Sequence, residues 1–212
     1  MALGLRISNL MDLLSCAFRA WSPQIGDPTV WGWLTVMLYA AAALVAARVA
    51  WQAPFPHRTR LTEQVFWACL AVGLAFLTVN KQLDLQSFMT AIARCAAQAQ
   101  GWYEDRRIVQ MLFILGLGLF VLVFGLYFMW LLWGTMRRSL WPLLGAVLIC
   151  GFVLIRAVGF HHMDILINMR LPGAIRVNFL LEIPGPLIIL ITGLVLLRAQ
   201  AGPDAQDGQE VR

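Results

Sequence analysis

The chain has 212 residues, 60% of them hydrophobic and 13% charged, with a mean hydropathy of +0.74. Soluble domains carry about 25% charged residues, so this balance points to lipid as the solvent, and so short a chain with several spans has no room for a separate soluble catalytic domain. The formal charge of +5 rests almost wholly on arginine, Lys81 being the only lysine; scattered arginines beside apolar segments are topology signals and headgroup contacts, which argues against nucleic acid as a partner.

In chain order, residues 1–28 read as an N-terminal interfacial segment. Leu10, Leu13, Leu14, Ala17 and Phe18 make a short amphipathic helix, interrupted by Asp12 and Arg19. Leu13-Leu14-Ser15-Cys16 faintly resembles a lipoprotein cleavage box, but Asn9 and Asp12 break the apolar run that such a signal needs. The first span is expected at about 30–50, close to the 20 or so residues that cross a bilayer core, with Trp31, Trp33 and Trp51 as interface anchors. Gln52 to Glu63 is a connector, and the second span is expected at about 64–79.

Residues 81–100 are too polar to span. Leu85, Phe88, Ile92, Cys95 or Ala96, and Ala99 recur at helical spacing while Gln82, Gln86, Arg94 and Gln98 fall elsewhere, the pattern of an amphipathic helix lying on the membrane surface. Gly101 ends it. Trp102-Tyr103-Glu104-Asp105-Arg106-Arg107 then forms an aromatic and charged interface patch. The third span, about 108–133, carries Gly116, Gly118 and Gly125, which would let a neighbouring helix approach closely. Arg137-Arg138 is expected to make a tight turn before a fourth span at about 141–160. Leu171-Pro172-Gly173 precedes a fifth at about 177–197, and 199–212 is a polar, disordered tail. The fold class expected is therefore all-α: a polytopic membrane protein with five transmembrane helices and an interfacial helix. The four cysteines lie far apart without a CxxC, so neither a disulfide framework nor an iron–sulfur site is expected.

Five spans put the termini on opposite sides. The basic, acid-poor Arg58/Arg60 connector and Arg137-Arg138 turn favour the cytoplasm, which sets the N-terminus outside and the C-terminus inside. Alternation also gathers Asn80, Lys81, Asp84, Glu104, Arg106, Arg107, Arg156, His161, His162, Asp164, Asn178 and Glu182 at one leaflet, independently of orientation. Arg156 lies about 6 Å inside the end of span four at 1.5 Å rise per residue, and Glu182 a similar depth inside span five. An unpaired charge at that depth is costly, so an Arg156–Glu182 ion pair is expected. Glu182-Ile183-Pro184-Gly185-Pro186 either breaks span five or starts its regular helix, leaving backbone carbonyls free beside Glu182.

The candidate catalytic residues are His161, His162, Asp164, Asp84 and Glu182. On a helix His161 and Asp164 share a face while His162 points about 100° away, so a divalent metal would use His161 and Asp164 with another carboxylate rather than both histidines. Asn80 suits capping the second span, and Asp84 suits capping the interfacial helix or pairing with Lys81, structural roles that outweigh a catalytic one. Trp102, Tyr103, Arg106 and Arg107 suit an anionic lipid headgroup.

The strings Asn80-Lys81-Gln82-Leu83-Asp84-Leu85-Gln86, Gly101-Trp102-Tyr103-Glu104 with Arg106-Arg107, and Arg156 with Phe160-His161-His162-Met163-Asp164 resemble those of an uncharacterised family of bacterial multi-pass membrane proteins. The resemblance covers roughly 64–197 and implies a bacterial inner-membrane location without implying an activity. Membrane ceramidase-like hydrolases also combine histidines and acids at one leaflet, but they use more histidines and a serine. The leading expectation is an accessory or assembly protein whose outer-leaflet face binds lipid headgroups or another membrane protein. The alternative is a metal-assisted hydrolase or transferase acting on a lipid or lipid-linked substrate. A transporter is disfavoured by size and by the lack of an internal repeat.

Overall fold

The computed structural model describes residues 10–22, 28–53, 55–158 and 177–200. Every regular element among them is helical: α1 (Leu10–Ala20), α2 (Val30–Gln52), α3 (Arg60–Leu83), α4 (Leu85–Gln100), a 3-10 turn (Tyr103–Asp105), α5 (Arg106–Leu131), a second 3-10 turn (Trp133–Thr135), α6 (Met136–Val158), α7 (Val177–Glu182) and α8 (Pro184–Gln200). Five segments are long and apolar enough to cross a membrane, namely α2, α3, α5, the stretch through α6, and the α7–α8 pair. The protein is an all-α polytopic protein.

Local chemistry explains the starts and stops. Thr29 caps α2 by accepting the Gly32 N–H at 3.1 Å, satisfying one of the donors every helix start leaves open. α3 begins at Arg60, so Glu63, assigned above to a connector, sits in its first turn. Asp84 takes a left-handed conformation (φ 46°, ψ 50°) between α3 and α4, and Gly101 (φ 80°) ends α4 in the same region, where glycine carries no Cβ penalty. The Arg137-Arg138 pair is not a turn. The 3-10 turn at Trp133–Thr135 reverses the chain, and both arginines fall in the first turn of α6.

The core is built by α2, α3, α6 and α8, with the end of α5 packed against it. On α2, Tyr39, Ala42, Ala46 and Val49 recur at helical spacing and are all buried. They face Phe66, Trp67, Ala71 and Leu74 of α3, with Ile149 and Ile189 from α6 and α8. Small residues set the closest crossings. A Cβ on Gly145 would lie 2.8 Å from the Gly185 carbonyl oxygen, one on Gly185 would lie 2.5 Å from Ile149 Cγ1, and one on Gly193 would meet Val45 Cγ1 at 2.5 Å. The glycines expected to serve this role, Gly116, Gly118 and Gly125, instead have nothing within 4 Å of where a Cβ would stand. α5 leans on α6 and leaves most of its length uncovered, including Phe113 and Leu115.

α1 packs against α4 outside this bundle. A disulfide joins Cys16 to Cys95, a single long-range bridge where no disulfide framework is expected from the spacing of the cysteines. Phe18, Trp21 and Phe88 form an aromatic triangle beside it, with ring centroids 4.8–6.1 Å apart. Cys69 and Cys150 are free thiols.

Candidate functional site

Helix alternation brings the ends of α3 and α6 and the starts of α2, α5 and α7 to one end of the bundle. The chemistry there centres on Glu182, the last residue of α7. Pro184 cannot donate to the Leu180 carbonyl, nor Pro186 to that of Glu182. The chain bends at Ile183, yet the Ile183 N–H still reaches the Phe179 carbonyl at 3.0 Å and the Leu187 N–H that of Ile183 at 3.1 Å. The span is kinked rather than severed, and two carbonyls beside Glu182 are left without helical donors. Gly185 follows at once because the kink is where α8 crosses Gly145 of α6.

Glu182 is 3% exposed and its partner is Lys81, whose ammonium donates to both carboxylate oxygens at 2.7 Å. Asn178, one helical turn earlier, donates a third bond at 3.3 Å. The expected Arg156–Glu182 pair does not form. Arg156 is exposed on the last turn of α6. The reason is rotational: depth along two adjacent helices can be counted from sequence, but which azimuth each side chain occupies depends on packing. α3 turns Lys81 inward, and the long lysine stem carries its charge to Glu182. Gln82 adds a group the sequence did not flag. Both its amide atoms are buried without a hydrogen-bond partner, a costly arrangement that a polar ligand or water would relieve.

The other expected site residues are placed separately. Asp84 accepts from the Ser87 hydroxyl at 2.5 Å at the α3–α4 junction, so it serves the turn and not Lys81. Trp102 donates to the Gln100 side chain at 2.6 Å and is half-buried, as is Tyr103, while Arg107 is exposed in the first turn of α5. The backbone of Arg106 opens α5, and its side chain lies outside the described residues, as do His161, His162 and Asp164. Among the described residues no three of His, Cys, Asp or Glu gather closely enough to hold a metal ion.

A second buried charge lies at the opposite end of the bundle. Glu63 is 1% exposed. Its Oε1 accepts from Arg138 at 2.9 Å and from the Thr59 hydroxyl at 2.8 Å, while its Oε2 has no partner. Thr135, at the end of the second 3-10 turn, and Ser139, next to Arg138 on α6, are buried with their hydroxyls 3.2 Å apart. The sequence signal is an acid among arginines, four residues after the threonine that precedes α3; placing Glu63 in a connector obscures it. Comparison with protein-family models, with curated proteins and with solved structures finds no match to this chain.

Proposed function

We propose that the protein is an accessory or assembly factor of a bacterial inner membrane, with its N-terminus outside and its C-terminus in the cytoplasm, whose outer-leaflet face binds anionic lipid headgroups or another membrane protein. The observation that carries this is the one-sided build of the bundle. A two-helix platform, α1 on α4, is covalently fastened by Cys16–Cys95 and leads directly into Trp102, Tyr103 and Arg107 at the end that also holds the Lys81–Glu182 pair. Disulfides persist in oxidising compartments, which supports an extracytoplasmic setting for this face, and the arginines at the opposite end support the same orientation. Aromatic rings at headgroup depth with an exposed guanidinium at a helix start suit a phosphate.

Two measurements test this. Arg106→Gln with Arg107→Gln should lower the anionic lipid copurifying with the protein by about tenfold relative to zwitterionic lipid, and unchanged lipid content would refute the headgroup role. In sealed right-side-out vesicles, a membrane-impermeant reductant followed by an impermeant thiol reagent should label Cys16 and Cys95; labelling only after lysis would reverse the orientation.

A further inference from the structure

α3, α5 and α6 enclose an apolar crevice of about 260 Å³, with Leu74, Leu77, Phe124, Gly125, Ala146 and Ile149 among its walls. It exists because α5 leans on α6 and meets α3 chiefly through the Phe66–Phe128 ring pair, 5.4 Å apart. Above that pair the two helices part, and the glycines Gly73 and Gly125 leave the gap unfilled, with nothing within 4 Å of either Cβ position.

We propose that this crevice seats one acyl chain of an anionic phospholipid from the leaflet at the Glu63–Arg138 end, entering sideways from the bilayer. Depth, length and charge favour that occupant. Along α3 the lining runs from Phe66 to Leu77, about 16 Å at 1.5 Å per residue, against roughly 15 Å for half of a hydrocarbon core. Leu143, the α6 wall residue nearest that end, lies about 8 Å along the axis from Arg138, the separation needed between a lipid's first methylenes and its phosphate. Arg137 is exposed, and Arg138 spends one nitrogen on Glu63 while its side chain remains 40% exposed; with Arg60 they outweigh Glu63, the one acid among the described residues at that end, and complement a phosphate. A transmembrane helix of a second copy is too wide for a space of this volume without displacing α5.

The full-length protein in phosphatidylcholine nanodiscs, doped with phosphatidylglycerol carrying a mid-chain diazirine, tests this by photolabelling and peptide mapping. Label is expected on Leu74 and Ile149, which form the buried floor, as well as on the lipid-facing α5 residues Leu115 and Leu119. Gly73→Leu with Gly125→Leu should cut the floor labelling by about tenfold and leave Leu115 and Leu119 unchanged; Gly73→Leu alone should act in the same direction if the pair disturbs folding. Arg137→Gln should reduce floor labelling without filling the crevice. Floor residues left unlabelled, or labelled equally in the filled variants, would show annular lipid only and overturn the site. Equal floor labelling by a phosphatidylcholine probe would overturn the anionic preference, and α5–α5 cross-links that exclude the probe would assign the crevice to a second copy instead.

Discussion

Removing Lys81 should destabilise the protein more than removing any other cation, because Glu182 would be left charged and buried. Lys81 and Glu182 are 9% and 3% exposed, with the ammonium 2.7 Å from each oxygen. At an effective dielectric of about 20 that separation gives a gross attraction of roughly 6 kcal/mol, from 332/(20 × 2.7). Desolvating two ions costs several kcal/mol each, so the intact pair contributes little net stability. Truncation is different. Lys81→Met leaves the carboxylate only Asn178 and should cost roughly 3–5 kcal/mol. At roughly 2–4 °C per kcal/mol for a chain of this size, the melting temperature in nanodiscs should fall by roughly 6–20 °C. Lys81→Met combined with Glu182→Leu should recover most of that loss. A double-mutant cycle should therefore couple Lys81 to Glu182 by at least about 2 kcal/mol, and Arg156 to Glu182 by less than about 0.5 kcal/mol. The assignment is refuted if Lys81→Met shifts melting by under about 2 °C, or if Arg156 carries the coupling.

At the opposite end, Arg138→Met should cost about 2–4 kcal/mol by stranding Glu63, whereas Arg137→Met should change thermal stability by no more than about 0.5 kcal/mol. Gly145→Ala should lower stability by about 1–3 kcal/mol, since its Cβ would meet the Gly185 carbonyl at 2.8 Å; Gly118→Ala, with open space around it, should raise stability by about 0.5–1 kcal/mol. Cys16→Ser should free α1 for limited proteolysis and slow migration of the unreduced protein on denaturing gels, while the melting of the five-span bundle moves by less than the ~4.5 kcal/mol that closing a loop across a separation of 79 residues would alone suggest, because the spans between the cysteines remain held in the bilayer.

Much of the architecture is fixed by the sequence itself, because a bilayer admits few solutions. Apolar runs near 20 residues must be helices with their backbone groups satisfied internally, and that alone assigns the all-α class and collects Lys81, Asp84, Arg107 and Glu182 at one end. Proline chemistry likewise marks the bend beside Glu182 from the sequence alone. What the chain alone does not determine is azimuth and approach. Lys81 rather than Arg156 reaches Glu182 because α3 packs with that face inward. Gly145, Gly185 and Gly193 make the close crossings while Gly116, Gly118 and Gly125 stay open, because α5 leans away. Cys16 meets Cys95 only because α1 folds back onto α4, a long-range contact that no local spacing encodes. Helical periodicity supplies depth and side; the rotation of each helix about its own axis is decided by packing against its neighbours, and the site is built from that rotation.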